Sequence, residues 1–309
     1  MAIDRMEIRN FLVFKGEFTA SFCPGINVLI GGNGTGKTTL MKCLYDLKPS
    51  YTRLRDSDNN MLLDSEGNAL YEPDKPISGT VEREWGMAVI GDEISNYIYI
   101  PEKDILEHAK GLLPFIEKKQ TGFGQIYKDT LINAQDIPTS NQSETQRKIG
   151  EIVAKSIGGY IEWVQSDGSF YTIRTDGKRI PFAVEASGYK KLGFLGLLVA
   201  SGQLDHESVL FWDEPENSLN PELIPILVDI LLELSSFGVQ IFVATHSELL
   251  ANYFSVNRSG GDIVMFTALY KDDVQIKANT SDRFDLLEPN NLTAEPVKLY
   301  EKEIEKGLA

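Results

Sequence analysis

The chain has 309 residues, 42% hydrophobic and 24% charged, which suffices for one large α/β domain or two small ones with a full core. Its formal net charge of −15, from 30 Lys+Arg against 45 Asp+Glu, argues against unaided grip on duplex DNA, because each phosphate contact needs a cation. The opening MAIDRMEIRNF lacks a basic region followed by an apolar one, and the most apolar stretch, 223–234, is broken by Pro225, Asp229 and Glu233, so neither a secretory signal nor a membrane span is expected.

Residues 6–14 (MEIRNFLVF) and 17–22 read as short strands joined by a turn at Lys15–Gly16. A second turn at Pro24–Gly25 leads into the apolar run 26–30, a buried strand. The glycine-rich GGNGTGKTT follows, then a helix over 40–47. Residues 49–79 are rich in Asp, Asn, Gly and Pro and predict a long loop. Strands are expected at 82–90 and 97–100, and mainly helix over 101–156, with breaks near 121–124 and 138–141. Residues 161–165 and 170–175 form a hairpin pattern around Ser166-Asp167-Gly168-Ser169.

Beyond Ser187 a helix is expected over 189–200, a strand over 208–212 and a helix over 221–236. A strand over 239–244 and a short helix over 247–254 come next, then a strand pair at 262–269 and 274–277 and a charged helix over 292–306. Short apolar strands alternating with helices imply a mostly parallel sheet covered on both faces. There is no internal repeat, low-complexity tract or sustained heptad. Cys23 and Cys43 make no disulfide framework and fit a reducing, cytoplasmic setting as small buried hydrophobes.

Three segments carry chemistry. Gly31-Gly32-Asn33-Gly34-Thr35-Gly36-Lys37-Thr38 matches G-x-x-x-x-G-K-[ST] in full and is followed by Thr39. Its glycines let backbone N–H groups approach phosphate oxygens, the following helix points its positive end there, and Lys37 reaches the β/γ-phosphates. The Thr38 hydroxyl suits Mg²⁺. Second, the apolar strand Val209-Leu210-Phe211-Trp212 delivers Asp213 and Glu214 to its exit, Asp213 for the Mg²⁺ shell and Glu214 to orient and deprotonate the attacking water. Third, Ala244-Thr245-His246-Ser247 lies just past another apolar strand, where His246 can sense the γ-phosphate.

This order, with Asn10-Phe11 in the opening strand, Asn217-Ser218-Leu219-Asn220-Pro221 after the acidic pair, and ATHSE at the histidine, resembles the ABC ATPase superfamily on its RecF/OLD/SMC side, often called "AAA family ATPases". The resemblance is good over 1–48 and 180–255 and covers the middle only in outline. It implies an α/β P-loop NTPase of ABC type: a mostly parallel sheet with an N-terminal antiparallel part, in one domain over 1–309, with 49–156 an inserted loop and helical lid. It also implies ATP and Mg²⁺ as ligands and hydrolysis to ADP and phosphate.

In such proteins a signature loop of one subunit closes over the ATP of the other. Ala186-Ser187-Gly188-Tyr189-Lys190-Lys191 occupies that place, with Ser187 and Gly188 supplying a hydroxyl and a helix start; Tyr189 and Lys190 replace the second glycine and the glutamine of the transporter motif. The same residues also read as a simple helix cap. Asn217–Pro221 resembles the D-loop. The Q-loop position falls at Pro101-Glu102, which holds no glutamine, and Arg53 and Arg55 read either as nucleotide-directed arginines or as solvated loop charges.

The resemblance implies a head-to-tail homodimer around ATP that controls a separate protein effector, such as a nuclease or toxin in bacterial defence or genome maintenance. The alternatives are a RecF-like ATPase acting on DNA, a non-hydrolysing ATP-gated scaffold and, with less support, a transporter subunit. The span between Lys37 and Ser187 is too short and aperiodic for an SMC coiled coil. Asp56-Ser57-Asp58 is the one string resembling a nuclease DxD.

Overall fold

The strands β3 (Ile26–Ile30), β5 (Asn96–Ile100), β9 (Ser208–Asp213), β10 (Gln240–Thr245), β11 (Val264–Asp272) and β12 (Gln275–Ser281) form one six-stranded sheet in the order β12-β11-β3-β10-β9-β5. The computed structural model describes residues 2–46, 86–91, 94, 96–110, 112 and 125–307; the expected loop over 49–79, Arg53, Arg55 and Asp56-Ser57-Asp58 lie outside them. All neighbours in the sheet are parallel except β11 and β12.

β3, β9 and β10 are buried along their whole length, as strands covered on both faces must be. Side-chain alternation divides the core in two. Val28, Ile30, Leu210, Trp212, Ile241 and Val243 pack with the helices α3 (Glu144–Ile157), α4 (Ser187–Ala200), α5 (Ile224–Ser236) and α6 (Glu248–Asn257). Leu29, Val209, Phe211, Phe242 and Ala244 face the other way, toward α1 (Lys37–Asp46) and a three-stranded antiparallel sheet. There Phe211 stacks on Phe242 with ring centroids 5.0 Å apart.

That smaller sheet has the order β2-β1-β4, from β1 (Ile3–Phe11), β2 (Phe14–Ser21) and β4 (Gly86–Gly91), and is the expected N-terminal antiparallel part. The turn between β1 and β2 falls at Leu12–Val13, not at Lys15–Gly16, with Phe11 opposite Phe14. Asn10 and Leu12 have φ of 48° and 50°, and the Asn10 Oδ1 accepts a 2.7 Å bond from the Gly16 amide. The apolar string Leu12-Val13-Phe14 conceals this reversal, because Leu12 points to solvent while Phe14 is buried.

The region after β5 contains α2 (Gln125–Asn133) and α3. A full capping box, Ser143 with Gln146, starts α3 and Gly158 in the left-handed conformation ends it. The expected hairpin is present as β6 (Gly159–Val164) and β7 (Ser169–Arg174), with β8 (Arg179–Pro181) added as an unforeseen third strand. α7 (Asn291–Gly307) is the last helix. No helix among the described residues is long and apolar enough to cross a membrane.

Candidate functional site

Parallel registry brings the exits of β3, β9, β10 and β5 into one row: Ala244 pairs with Asp213, Thr245 with Ile30, and Ile100 with Trp212. Each motif residue follows one of these exits, the edge where α/β sheets place ligands. The loop Gly31–Gly36 requires glycine at its ends. A Cβ on Gly31 would sit 2.2 Å from the Leu269 carbonyl oxygen, and one on Gly36, at φ 93°, would sit 2.7 Å from Phe14 Cζ. Thr35 is buried and its hydroxyl donates to the Gly32 carbonyl at 2.9 Å; Asn33 and Gly34 are exposed, and Thr39 is half-buried in the first turn of α1.

Lys37 is buried to 6% exposure, and its ammonium donates to the carbonyls of Gly31 at 2.8 Å and Gly32 at 3.4 Å. It also lies 2.9 Å from His246 Nε2. Two cations would not approach so closely, so Nε2 accepts and His246 is neutral. Its pKa is accordingly lowered, by burial first and by Lys37 second. The ammonium of Lys37 is itself pushed down by burial, against the attraction of Glu214, Asp213 and Glu216.

The Thr38 hydroxyl donates to Asp213 Oδ1 at 3.1 Å, and the Tyr99 hydroxyl to Oδ2 at 3.4 Å. Adjacent ligands of an octahedral ion with bonds of about 2.1 Å are about 3 Å apart, so this oxygen pair fits Mg²⁺, which takes few protein ligands beside phosphate and water. Burial raises the Asp213 carboxyl above its ordinary range. Glu214 is raised too, by burial and then by Glu102, Asp213 and Glu216, with Lys37 opposing. Its Oε1 is 3.6 Å from His246 Nε2.

The next turn is fixed by Glu216. Its Oε1 accepts from the Thr245 hydroxyl at 2.6 Å and from the His246 amide at 3.0 Å, tying the exits of β9 and β10 together. Ser247 caps α6 through the Leu250 amide. Glu102 follows β5 and its Oε1 accepts from Asn217 Nδ2 at 3.1 Å, so the acidic residue at the expected Q-loop place belongs to the same cluster.

Ser187 is the first residue of α4 and exposed; Ala186 holds the N-cap position without a side-chain bond, so Ser187 is not the cap. Gly188 is buried, and a Cβ there would lie 3.2 Å from Leu219 Cδ1. This packing against the Asn217–Pro221 turn is a sufficient reason for glycine. Sequence reasoning did not single out Tyr99, Glu216 or Lys191, whose ammonium donates to the Glu214 carbonyl at 2.9 Å. The readable signals were the period-2 face shared by Tyr97 and Tyr99, the third acid in Asp213-Glu214-Pro215-Glu216, and the four-residue spacing from Ser187 to Lys191.

The family described as "AAA domain, putative AbiEii toxin, Type IV TA system" matches residues 50–252, and one described as "AAA ATPase domain" matches residues 1–75. A DNA replication and repair protein RecF of Limosilactobacillus reuteri is 33% identical over 86 residues, 28% of this chain and 21% of that protein. The L-cystine import ATP-binding protein TcyN of Bacillus subtilis is 22% identical over 237 residues, 77% of this chain and 68% of that protein. The chain thus spans about a fifth of the RecF relative.

Among solved structures, an SMC head bound to the C-terminal winged-helix domain of ScpA superposes with a TM-score of 0.55 at 13% identity, covering 92% of this chain and 99% of that one. An SMC head from Pyrococcus furiosus with an extended coiled coil gives 0.52 at 11% identity, covering 97% and 98%. At these identities the likeness shows the fold: an α/β P-loop NTPase. The family match covers about two thirds of the chain, and so the chain belongs to the family described as "AAA domain, putative AbiEii toxin, Type IV TA system", as an ATPase domain of the ABC/SMC/RecF type.

Proposed function

We propose that this chain binds ATP–Mg²⁺, hydrolyses it to ADP and phosphate, and does so as a head-to-tail homodimer whose state a separate protein effector reads. The observation that supports this best is the convergence of Lys37, Thr38, Asp213, Glu214 and His246 at one sheet edge. The loop 31–36 and the start of α1, with Gly31, Asn33, Gly34, Thr35, Gly36 and Thr39, hold the phosphates through backbone amides. Lys37 exchanges its carbonyl and imidazole acceptors for β/γ-phosphate oxygens. Thr38 and Asp213 hold Mg²⁺, which neutralises phosphate charge when bound.

Glu214 orients and deprotonates the attacking water. His246, kept neutral, donates or accepts at the γ-phosphate once Lys37 has turned to the nucleotide. Ser187 and Gly188 close over the partner's γ-phosphate from the uncapped start of α4. Residues 49–156, expected as an inserted lid of one domain, cannot act as one as a whole, because β4 and β5 within them are strands of the two sheets. The family description, with its toxin–antitoxin wording, and the SMC head seated on a ScpA domain favour a protein effector, in defence or genome maintenance.

The RecF similarity favours a second reading, an ATPase that acts on DNA, against which the charge of −15 weighs. Calorimetric titration of ATP–Mg²⁺ into wild type and Lys37→Ala tests the first reading. Losing the loop's cationic side chain should weaken affinity about 10- to 10²-fold, since a hydrogen bond to a charged group contributes about 1.5–3 kcal/mol. Equal affinities would refute it.

A further inference from the structure

We propose that Lys191 is a positioning residue for hydrolysis: from α4 it clamps the main chain at Glu214 and so aims the Glu214 carboxylate at the Lys37–His246 corner. The proposal rests on the reading of Glu214 as the general base. Glu214 has φ 48°, a left-handed conformation that a residue with a Cβ keeps only where its surroundings impose it. Three bonds do so. Its amide donates to the Ala244 carbonyl at 2.9 Å, and its carbonyl accepts from the Asn217 amide at 3.1 Å and from Lys191 Nζ at 2.9 Å. The same ammonium lies 3.5 Å from the Pro215 carbonyl oxygen, so it spans the two residues where the chain leaves β9. Without it the Glu214 carbonyl loses its charge-assisted donor and keeps only the weaker Asn217 amide, so the adjacent peptide is held less firmly.

The helix carrying the clamp is held from the other side. Lys190, the preceding residue, turns away and is buried, its ammonium 2.6 Å from Glu107 Oε2, 3.7 Å from Asp104 Oδ2 and 5.4 Å from the centre of the Phe182 ring. Two adjacent lysines thus pin α4 to opposite walls, one to the segment after β5 and one to the catalytic turn. This also accounts for Lys190 at the place of the transporter glutamine: it faces inward and leaves Ser187 as the polar side chain of the helix start. Ser187 stands four residues before Lys191, on the same face of the helix. A shift of the helix start against a partner's phosphate therefore moves the clamp on the chain's own Glu214, linking the two sites of the dimer.

The test is a double-mutant cycle in single-turnover hydrolysis. Lys191→Met keeps the aliphatic stem and removes the donor. It should slow hydrolysis roughly 10- to 100-fold, the scale of a misplaced catalytic group, while ATP affinity and melting temperature stay within error. Lys191→Arg, which retains a charged donor, should restore most of the rate. In the Glu214→Gln background Lys191→Met should slow hydrolysis no further, because it acts through the carboxylate already removed. Lys191→Gln gives the same cycle with a neutral side chain if the methionine variant does not fold. A full, multiplicative loss in the Glu214→Gln background, or wild-type hydrolysis by Lys191→Met, would overturn the clamp while leaving Glu214 as base. Wild-type hydrolysis by Glu214→Gln alone would overturn the base and the clamp together.

Discussion

Glu214→Gln changes one charge and almost no volume, so its consequences can be worked out individually. Removing a general base costs about 10²- to 10⁴-fold. At about 1.36 kcal/mol per decade this is about 2.7–5.4 kcal/mol of transition-state stabilisation. Binding should survive, since Lys37, Thr38 and Asp213 are untouched and one negative charge is withdrawn from beside the triphosphate. Stability should respond as well. The Glu214 carboxyl titrates above its ordinary 4.5 in the folded protein, so the folded state holds this proton more tightly than the unfolded chain does. Its contribution to stability therefore falls as pH rises from 4.5 through the folded value, and stays low above it. The glutamine variant should melt higher than wild type at pH 7.5, and the gain should shrink as pH approaches 4.5. Phosphate release, ATP calorimetry and melting curves across that range read all three effects. Turnover near the wild-type rate, or a melting gain that grows on acidification, would refute the reasoning.

Gly36→Ala places a Cβ at φ 93° and 2.7 Å from Phe14 Cζ, and should cost about 1–3 kcal/mol, a fall of a few degrees in Tm, together with a loss of ATP affinity. An unchanged melting curve would show that the phosphate loop is not braced by β2. The isolated chain should bind duplex DNA weakly at physiological salt, with affinity falling steeply as salt rises; tight, salt-resistant binding in a filter assay would favour the DNA reading instead.

The parts of the fold legible in the sequence were those where burial alone decides structure. β3 is found at Ile26–Ile30 as expected, because four of the five residues between Gly25 and Gly31 are large and apolar and call for burial. β9 and β10 match within a residue or two for the same reason. Where a long-range partner decides, the sequence said less. β8, only Arg179–Pro181, exists because β7 offers an edge. β12 runs on to Ser281 through Ala278 and Asn279, poor strand formers held by pairing with β11.

The site divides similarly. Lys37, Thr38, Asp213, Glu214 and His246 were named because each follows a strand at a readable spacing, and the structure places them together. The groups that orient them escaped notice, since Tyr99, Glu216 and Lys191 act across strands that only the folded register makes neighbours.

The most direct test of the composite, head-to-tail site is to mix two inactive chains. Lys37→Ala lacks the nucleotide-binding lysine, and Ser187→Arg fills the helix start that should meet the partner's phosphate, while leaving ATP binding to its own chain nearly intact. In a mixed dimer one shared site is free of both changes and the other carries both. Hydrolysis should therefore reappear on mixing, with a maximum at equal amounts of the two chains. Mixtures as inactive as either variant alone, with mixed dimers shown to form, would contradict a shared site and leave each chain hydrolysing ATP by itself.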